Sequence, residues 1–597
     1  MSTSNADILG MLAELVTLTT LKEQSPQSFK VRAYENASRG IETHGSPIGE
    51  LTVGELCKID GVGKATASKI REFVDTGSVT RIDDLRIEFP PAFVELSRIP
   101  GIGPKTLLLM RSELNIEDVE GLQAALAAKQ IRTLPRMGEK SEAKIAKAIE
   151  RLGLSGKDRR TPIADALPLA ERLVAAIEEM PSVTKVAFCG SLRRMSETIG
   201  DIDITVAATD APAVMAEVLQ RSEVHDVVVS GETKTSFLTP AGLQVDVRVV
   251  APVAFGAATL YFTGSKAHNI ELRQRAMGRG WTLNEYGLTE VPPEADNDAD
   301  PDVPAAKPKV IASRTEKAIY KALDLCYVEP PLREGTGEVQ AAADDNLPSL
   351  VHRQHMRGDL HFHTDRSGDG RASVPDMVAA AAAEGWEYLA ITDHGEDLAI
   401  NGSSAEEMLE HREVIAEVQN GYPNMTLLWG CELNIGASGG LDYDADFRAL
   451  FDYTVASVHS HFDQSVADQT HRIIAAIEDP SVNSIGHLTG RYIGRRPGIE
   501  LEIDPVLNAL VECDVALEIN GALQRLDAAS TVVRRAVDHG VKLVINTDSH
   551  HTSELGRMEY GVLTAQRGWA PKELVVNTWT RKKFLAWING KERCAGG

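Results

Sequence analysis

The chain has 597 residues, a length that predicts several domains of ~150 residues rather than one core. Hydrophobic residues make up 43% and charged residues 25%, and since no apolar run approaches the ~18 residues of a membrane span, a membrane-spanning protein is excluded. The amino-terminal residues MSTSNADILGMLAELV lack the features of a secretion signal, and the six scattered cysteines form no CxxC pair, so a cytoplasmic protein with reduced thiols is expected.

The net charge of −24 argues against a nucleic-acid partner, but the charge is unevenly distributed. Residues 1–160 carry 23 Lys and Arg against 22 Asp and Glu, so the excess of acid lies in the rest of the chain. Because local amides and basic groups decide docking on phosphate, a DNA partner is compatible with the acidic total.

The pattern of apolar residues changes three times along the chain. Residues 1–160 show helical spacing broken by Gly-x-Gly turns, which predicts an all-α region. Residues 161–265 combine one helical pattern with the runs KVAFCG, DIDITVAA, HDVVVS and LQVDVRVV, which predicts a small α/β unit. Weakly apolar stretches at 291–309 and 334–346 predict a surface loop and an interdomain linker. From residue 351 onward, strand-like runs alternate with helical patterns, as in a parallel α/β barrel.

Two segments of the helical region, KIDGVGKATASKI and RIPGIGPKTLLLM, share one plan and resemble helix-hairpin-helix motifs. Glycines let the backbone approach a phosphate, and the amides of the following helix start face it. One such turn alone is more often a tight turn between packed helices, but two together favour sequence-independent DNA binding. The expected DNA contacts are Gly61, Gly63, Lys64, Gly101, Gly103 and Lys105.

The string CGSLRRMSETIGDIDITV predicts a site for divalent cations and phosphate. Asp201 and Asp203 alternate on a strand, so both carboxylates project from one face, and Asp246 in LQVDVRVV adds a third acid from another strand. Such close acids repel unless a cation lies between them, and Mg²⁺ fits oxygen ligands. Upstream, Ser191 lies at a helix start that can take phosphate, and Arg194 adds a cation.

The strings GS-x-RR-x(5)-GDID, VDVR and YFTGSKAHN together resemble the palm of the family X DNA polymerases, the polymerase beta relatives. The resemblance extends over residues 1 to about 335. It implies that the three acids hold two Mg²⁺ or Mn²⁺ ions, that Asp246 takes the proton of the primer hydroxyl, and that Ser191 and Arg194 bind the triphosphate of a dNTP. The positions implied to face the sugar, the nascent pair and the template are Tyr261, Phe262, Gly264, Asn269 and Arg273.

Lys69, in the helix that follows the first hairpin turn, has two possible roles. Related enzymes with a lysine at this place can form a Schiff base with a 5′-deoxyribose phosphate, which requires a neutral amine. The alternative is a phosphate contact or an exposed helix lysine. Tyr34, in RAYEN, also fits the amino-terminal domain of that family.

The histidines predict a second site, because nearly all 16 of them follow residue 350 and cluster where predicted strands end. In a parallel barrel, these strand ends meet on the carboxyl-terminal face. A lone histidine after a strand is usually a loop residue, but a cluster this rich in histidine and acid indicates a metal site. Its candidate ligands are His361, His363, His394, Glu432, His459, His487, Asp548 and His550.

This half resembles the PHP (polymerase and histidinol phosphatase) domain over residues 351 to about 575. The resemblance implies up to three ions held by these residues and Asp369, with Glu432 bridging. The family segment H-[ST]-x-x-S-D-G appears here as HTDRSGDG, one residue longer, so Asp365 is an alternative to Asp369. Imidazole and carboxylate ligands fit Mn²⁺, Zn²⁺ or Fe²⁺, which would generate hydroxide and neutralise a phosphate ester.

Patterns and resemblances together predict a multidomain chain: an all-α helix-hairpin-helix region, an α/β nucleotidyltransferase palm with a small thumb, and a distorted TIM-like parallel α/β PHP barrel. The expected segments are a lyase-like helical DNA-binding domain (1–80), a second hairpin domain (81–160), the palm (161–265), the thumb (266–335), a linker (336–350) and the PHP domain (351–597).

The function expected from these parts is short-gap filling in DNA repair, coupled to metal-dependent 3′–5′ exonuclease or phosphoesterase action on DNA ends. Expected partners are gapped or primed DNA and dNTPs, with no membrane and a monomeric chain. Arg491 and Arg495 are candidate phosphate contacts, although surface arginines are commoner. Two alternatives stay open: a nucleotidyltransferase on RNA or a small molecule fused to a small-molecule phosphatase, and a non-catalytic scaffold for DNA ends.

Overall fold

The computed structural model describes residues 5–25, 28–42, 48–59, 61–97, 99, 102–135, 137–152, 160–291, 309–398 and 401–590. The chain divides into two compact units. One comprises Met1–Arg159 with Gly494–Pro497, and the other comprises Arg160–Ile493 with Gly498–Gly597. Within the described ranges, no helix has both the length and the apolar composition needed to cross a bilayer.

The described part of the first unit is all-α, as expected. Its helices are α1 (Asn5–Glu23), α2 (Phe29–Glu42), α3 (Val53–Leu56), α4 (Lys64–Thr76), α5 (Thr80–Glu88), α6 (Pro91–Leu96), α7 (Pro104–Leu114), α8 (Val119–Ala127) and α9 (Glu139–Leu152). Their apolar faces meet in one buried cluster that includes Leu12, Ile70 and Leu107. α4 and α7 begin directly after Gly63 and Gly103 of the two Gly-x-Gly turns.

A five-stranded sheet, here called the palm sheet, begins the second unit, with strand order β2-β4-β7-β6-β5. β4 and β7 are parallel, and the other pairs are antiparallel. β6 was not expected from the sequence, whereas β4 spans the whole DIDITVAA run. The elements are β1 (Thr161–Pro162), α10 (Ile163–Glu178), β2 (Val183–Phe188), α11 (Gly190–Arg193), β3 (Thr198–Ile199), β4 (Asp201–Ala208), α12 (Ala211–Val218), β5 (Asp226–Ser230), β6 (Lys234–Leu238) and β7 (Gln244–Val250).

The next segment, here called the thumb, packs helices against a small antiparallel sheet of order β10-β9-β8. Residues 338–343, expected to belong to a linker, form a helix instead, and Val339 and Ala342 are buried in the same cluster as Leu332. The alanine-rich run favours helix, and its apolar side supplies packing. Residues 292–308 of the expected surface loop lie outside the described residues. The elements are α13 (Phe255–Thr263), α14 (Lys266–Met277), β8 (Trp281–Asn284), β9 (Gly287–Glu290), β10 (Val310–Ala312), α15 (Glu316–Ala322) and α16 (Glu338–Ala343).

Seven parallel strands in sequential order, β11 to β17, form the PHP barrel. Backbone hydrogen bonds from Asp548 to His361 and from His363 to Ser549 nearly close the barrel between its first strand and the segment after its last. The strand ends therefore converge on one face. The elements are β11 (Gly358–Phe362), α17 (Val374–Ala383), β12 (Tyr388–Ile391), α18 (Ala405–Gln419), β13 (Thr426–Asn434), α19 (Ala445–Arg448), β14 (Tyr453–Ser457), α20 (Val466–Glu478), β15 (Ser484–Ile485), α21 (Ile503–Glu512), β16 (Ala516–Asn520), α22 (Ser530–His539), β17 (Leu543–Asn546), α23 (Met558–Arg567) and α24 (Arg581–Gly590).

The cysteines depart from expectation at one position. Cys513, which ends α21, is disulfide-bonded, so the prediction of reduced thiols is wrong there. A disulfide requires two cysteines close in space, which their spacing along the chain does not reveal. The free thiols among the described residues are Cys57, Cys189, Cys326 and Cys431.

Candidate active sites

The three acids predicted to hold metal lie on the two parallel strands of the palm sheet. Asp201 and Asp203 alternate along β4, and Asp203 is in register with Asp246 of β7. The intervening Ile202 belongs to the buried palm cluster, so the alternation of the strand turns the carboxylates to the opposite side. Gly190 approaches that side so closely that a Cβ atom there would lie 2.6 Å from Asp203 Oδ2.

The electrostatics of these acids favour a cation between them. Burial, together with the carboxylates of Asp201 and Asp246, raises the pKa of Asp203 to about 7. Burial has the same effect at Asp246, but hydrogen bonds from Ser236 and Gln244 outweigh it and lower the pKa of that carboxyl. A divalent cation would relieve the repulsion at Asp203, so the donor set fits an oxygen-liganded ion such as Mg²⁺.

The palm acids are nevertheless less tightly gathered than the barrel ligands. Among the described residues, the groups of three His, Asp or Glu whose ligand atoms all lie within 4.8 Å of one another are in the barrel. Asp246 Oδ2 lies 3.3 Å from Lys234 Nζ and 3.5 Å from Arg248 Nη2. These two cations, on β6 and on β7 itself, compensate one carboxylate of the triad.

The residues implied to bind the incoming nucleotide form one connected group on α11, α13 and α14. Arg194 donates from Nη1 to the Thr263 carbonyl at 2.5 Å, and the same nitrogen lies 3.4 Å from where a Cβ atom of Gly264 would be. Gly264 has a φ of 66°, which favours glycine there. Ser191 is part of α11, next to this group, and is half-buried.

The aromatic members of this group are held by α14. Tyr261 and Phe262 pack edge to face with ring centroids 5.1 Å apart. Asn269 donates from Nδ2 to the Tyr261 carbonyl at 2.7 Å, and the guanidinium of Arg273 lies 5.4 Å from the Tyr261 ring centroid. Of the five residues expected around the sugar and template, Phe262, Asn269 and Arg273 thus contact Tyr261, and Gly264 adjoins Arg194.

A buried ion network that the sequence analysis missed joins palm and thumb. Glu316 of α15 accepts from Arg193 at 2.7 and 2.9 Å and from Arg333 at 2.6 Å. Although burial opposes ionisation, Arg333 and Arg193 lower the pKa of Glu316 to about 2. Arg193 also donates to Thr263, next to Gly264, so the network contacts the segment that carries residues implied to bind the nucleotide. The sequence shows the adjacent arginines Arg193 and Arg194, but it does not indicate that Glu316 pairs with the first of them.

The hairpin turns of the first unit lead directly into helix starts that lack a side-chain cap. Gly61 has a φ of 74°, and a Cβ atom there would fall on the carbonyl group of Asn36. Gly63 starts α4 without a side-chain cap, which leaves helix-start amides for an anion, and Lys64 is exposed beside it. The second turn repeats this arrangement with Gly103 and an exposed Lys105 before and within α7. Gly101 lies outside the described residues.

Lys69 lies on α4, within the first unit, and is partly buried. Its Nζ donates to the Ala65 carbonyl at 3.3 Å and lies 5.8 Å from the ring centroid of Tyr34. The structure therefore brings together the lysine and the tyrosine that the resemblance singled out. This geometry is compatible with each of the roles left open for Lys69.

The barrel ligands lie at the carboxyl ends of the strands, as a parallel barrel requires. His361 is in β11, Glu432 is in β13, and the other ligands lie in the loops that follow their strands. Glu432 is central to the cluster, with Oε1 2.9 Å from His487 and Oε2 2.9 Å from His394. The clusters that could hold a metal ion are His363, His394 and His550; His361, His363 and Asp548; and His394, Glu432 and His459.

Buried partners orient these imidazoles toward the centre. Glu518 of β16 accepts from His361 Nδ1 at 2.7 Å, and Asn434 pairs with His459 Nδ1 at 2.6 Å. Among the described residues, His361 Nε2, His363 Nε2 and both carboxylate oxygens of Glu432 are buried without a hydrogen-bond partner. Inward-facing ring nitrogens fixed by outer partners fit bound transition-metal ions. Glu518 was missed, although an acid inside the apolar run VALEIN was a usable signal.

The lengthened loop HTDRSGDG places Asp369 Oδ2 3.5 Å from both His394 Nε2 and His550 Nε2. Asp365 is an exposed residue of the same loop. The loop is held by buried Asp393, which accepts from Thr364 and Ser367 and lies 2.8 Å from His411. Asp369, rather than Asp365, therefore adjoins the imidazole cluster.

Two arginines that follow barrel strands, Arg491 and Arg525, make contacts that the sequence did not reveal. Arg491, a candidate phosphate contact, binds Glu197 of the palm through both terminal nitrogens, at 3.0 and 2.9 Å. Arg495 is exposed. Arg525 was not singled out, yet its Nε lies 3.5 Å from Asp548 Oδ2, and its Nη1 is buried without a hydrogen-bond partner among the described residues.

Four known protein families match parts of this chain. A helix-hairpin-helix domain matches residues 3–79, and a SAM-like helix-hairpin-helix tandem matches residues 93–151. The DNA polymerase beta thumb matches residues 258–334, and the PHP domain matches residues 359–522.

Individual relatives resemble the whole chain or one half of it. The DNA polymerase/3′-5′ exonuclease PolX of Bacillus subtilis is 34% identical over 587 residues, which is 98% of this chain and 99% of the relative. The DNA polymerase lambda of Rattus norvegicus is 28% identical over 52% of this chain and 54% of its own length. A probable phosphatase of Acetivibrio thermocellus is 30% identical over 39% of this chain and 95% of its own length. With the palm, thumb and PHP barrel described above, the near full-length match shows that this chain belongs to the bacterial PolX family of family X DNA polymerases.

Proposed function

We propose that the chain is a DNA-directed DNA polymerase that fills short gaps during repair and whose PHP barrel removes nucleotides from 3′ ends. The observation that carries the proposal is the presence of two separate sites in one unit, an acid triad on β4 and β7 and a ring of imidazoles and acids at the barrel mouth. The name of the PolX relative supports both activities, and that of the polymerase lambda relative supports the first. DNA and dNTPs are the proposed substrates, and the cytoplasm is the proposed compartment.

In the proposed polymerase site, Asp201, Asp203 and Asp246 hold two Mg²⁺ or Mn²⁺ ions, which supply charge neutralisation for the transferring phosphoryl group. Asp246 takes the proton of the primer hydroxyl. Ser191 and Arg194 bind the triphosphate, and the edge-to-face pair on α13 lies against the sugar. Asn269 and Arg273, anchored on Tyr261, face the nascent pair and the template.

In the proposed nuclease site, the donor set fits up to three ions such as Mn²⁺, Zn²⁺ or Fe²⁺, which supply hydroxide at neutral pH. Glu432 would be among the residues that hold the ions, and Glu518 and Asn434 keep the outer nitrogens of His361 and His459 protonated, so that the inner nitrogens are available as ligands. Arg525, a buried cation beside Asp548, binds an oxygen of the scissile phosphate. Its guanidinium is held over the Tyr492 ring at 4.4 Å.

The helix-hairpin-helix unit binds the phosphate backbone of the DNA substrate. Gly61, Gly63, Lys64, Gly103 and Lys105 supply amides and cations that do not discriminate sequence. We extend the proposal to Gly101 through the repeated motif alone. The segment boundaries expected from the sequence are kept, except that residues 336–350 are assigned to the thumb.

The test is primer extension and 3′ degradation on a duplex with a one-nucleotide gap, with Mg²⁺ and Mn²⁺ compared. Asp201→Ala with Asp203→Ala is expected to abolish nucleotide addition and to spare 3′ degradation. His361→Ala with His363→Ala is expected to do the reverse. Asp226→Asn, at the exposed start of the edge strand β5, is the matched control.

Three outcomes would overturn the proposal. Loss of both activities in either double variant would contradict two separate sites. Extension restricted to ribonucleotide or small-molecule acceptors would favour the alternative transferase. Tight binding of the gapped duplex with neither activity under any metal condition would favour a scaffold for DNA ends.

A further inference from the structure

Two arginines of the PHP barrel contact residues 194–197 of the palm, here called the palm loop, which begins with the proposed nucleotide-binding residue Arg194. Arg567, at the end of α23, donates from Nη1 to the carbonyl oxygen of Arg194 at 2.8 Å. The same nitrogen pairs with Glu334 Oε1, which also accepts from Arg194 Nε at 2.9 Å. Three residues further along the loop, Glu197 is bound by both terminal nitrogens of Arg491. The loop is thus held from the barrel at both ends.

Apolar packing makes this contact part of the palm core. Leu526 of the barrel is fully buried in the cluster that includes the β4 and β7 side chains. Leu523, Tyr560 and Leu563 are partly buried against the same cluster. Because buried apolar side chains fix neighbouring groups, the arginines are held on a rigid base rather than on mobile loops.

The loop also needs external support. Met195, directly after Arg194, is buried with a φ of 57°, a strained conformation for a non-glycine residue that persists when surrounding contacts over-determine it. The hydrogen bond from Arg567 falls on the carbonyl of the peptide that joins these two residues. The barrel therefore stabilises the strained turn that places the Arg194 side chain.

The charges suggest a defined role for Arg567. Glu334 competes with a triphosphate for the guanidinium of Arg194, because a carboxylate and a phosphate use the same donors. Arg567 shares Glu334 and so weakens that competition. The side chains of Arg194, Glu334 and Arg567 are 14%, 25% and 19% exposed, which leaves them only moderately screened by solvent.

We propose that Arg567, supported by Arg491, is a positioning residue for nucleotide binding in the palm, so that the PHP barrel is a working part of the polymerase site as well as a nuclease. This inference rests on the proposed polymerase function. Arg567 acts through Arg194 and Glu334 and does not itself touch the nucleotide.

The test is steady-state gap filling by the full chain with Arg567→Ala. The KM for dNTP is expected to rise on the order of tenfold, the effect of one charge-assisted hydrogen bond, while kcat changes little and 3′ degradation is retained. Arg567→Lys, which keeps a cation beside Glu334, is expected to recover part of the affinity. Arg535→Ala, which removes a barrel arginine paired with Asp504, is the matched control.

A second variant separates the proposed effect of Arg567 on the charge of Glu334 from a simple loss of side-chain packing. Glu334→Gln removes the competing charge, so adding it to Arg567→Ala is expected to recover most of the rise in KM and to leave only the part caused by the lost hydrogen bond to the Arg194 carbonyl. A KM for dNTP that stays within twofold of the unaltered chain in Arg567→Ala would overturn the proposal. So would an equal rise in Arg535→Ala, or a double variant with additive losses.

Binding of a labelled dNTP to the chain on a dideoxy-terminated gapped duplex compares dNTP affinity among these variants without the nucleotide-addition step. If the unaltered chain fails to extend a primer, the proposed function fails, and this binding measurement still decides the role of Arg567. Weaker dNTP binding in Arg567→Ala supports that role, and unchanged binding refutes it.

Discussion

Replacement of Glu518 by glutamine tests whether an outer partner controls the barrel site. Glu518 accepts four hydrogen bonds: His361 Nδ1 at 2.7 Å and Asn546 Nδ2 at 2.9 Å on one oxygen, and His487 N at 2.9 Å and Asn520 Nδ2 at 3.1 Å on the other. Glutamine offers one acceptor oxygen in place of two. Whichever way its amide is oriented, two donors face an amide nitrogen.

Each orientation has a structural cost. If the nitrogen faces the backbone amide of His487, that donor is left buried and unpaired, at about 1–3 kcal/mol. If the nitrogen faces His361, the ring must accept at Nδ1, which puts the proton on Nε2 and removes that atom as a metal ligand. The second orientation also requires Asn546 to flip, although its oxygen accepts from Leu360 N.

We therefore expect Glu518→Gln to lower 3′ degradation about 10–100-fold at limiting metal, with partial recovery at high metal. Primer extension should be unchanged, because the palm acids lie in a different site. The assay is exonuclease rate against Mn²⁺ concentration, with exposed Glu512→Gln on α21 as the control. A variant with the wild-type rate at limiting Mn²⁺ would refute the reasoning.

Three further predictions concern other parts of the chain. Glu316→Gln should lower the free energy of unfolding at neutral pH by about 3 kcal/mol. Because folding lowers the pKa of Glu316 from the ordinary 4.5 to about 2, the free energies of unfolding of the variant and the unaltered chain should converge as the pH falls through that interval, which acid unfolding experiments measure. Gly61→Ala places a side chain in the left-handed region, where its Cβ atom would clash with the Asn36 carbonyl, so the variant should bind gapped DNA more weakly and melt at a lower temperature. Gly63→Ala, which has open space at its Cβ position, should leave the melting temperature unaltered. Lys69→Ala should abolish borohydride trapping of 5′-deoxyribose phosphate DNA, and undiminished trapping would remove Lys69 as the Schiff-base lysine.

Much of the fold could be predicted from local patterns. The DIDITVAA run coincides with β4, and its alternation was enough to put Asp201 and Asp203 on one side of a sheet. Histidines at the ends of apolar runs indicated a barrel-mouth cluster, because parallel strands place their carboxyl ends together. These predictions succeed because each depends on residues a few positions apart, whose relation is set by the geometry of a strand or a turn.

Groups that depend on distant parts of the chain were missed. Glu518 and Arg525 reach the barrel ligands only when β16 packs beside its neighbours, and Glu316 meets Arg193 across 123 positions of sequence. Folding also pairs Arg491 with Glu197, a contact that its position in the sequence did not reveal. Local spacing determined the ligand types and the secondary structure, whereas tertiary packing alone decided which charges face each other, because long-range electrostatic partners carry no fixed spacing along the chain.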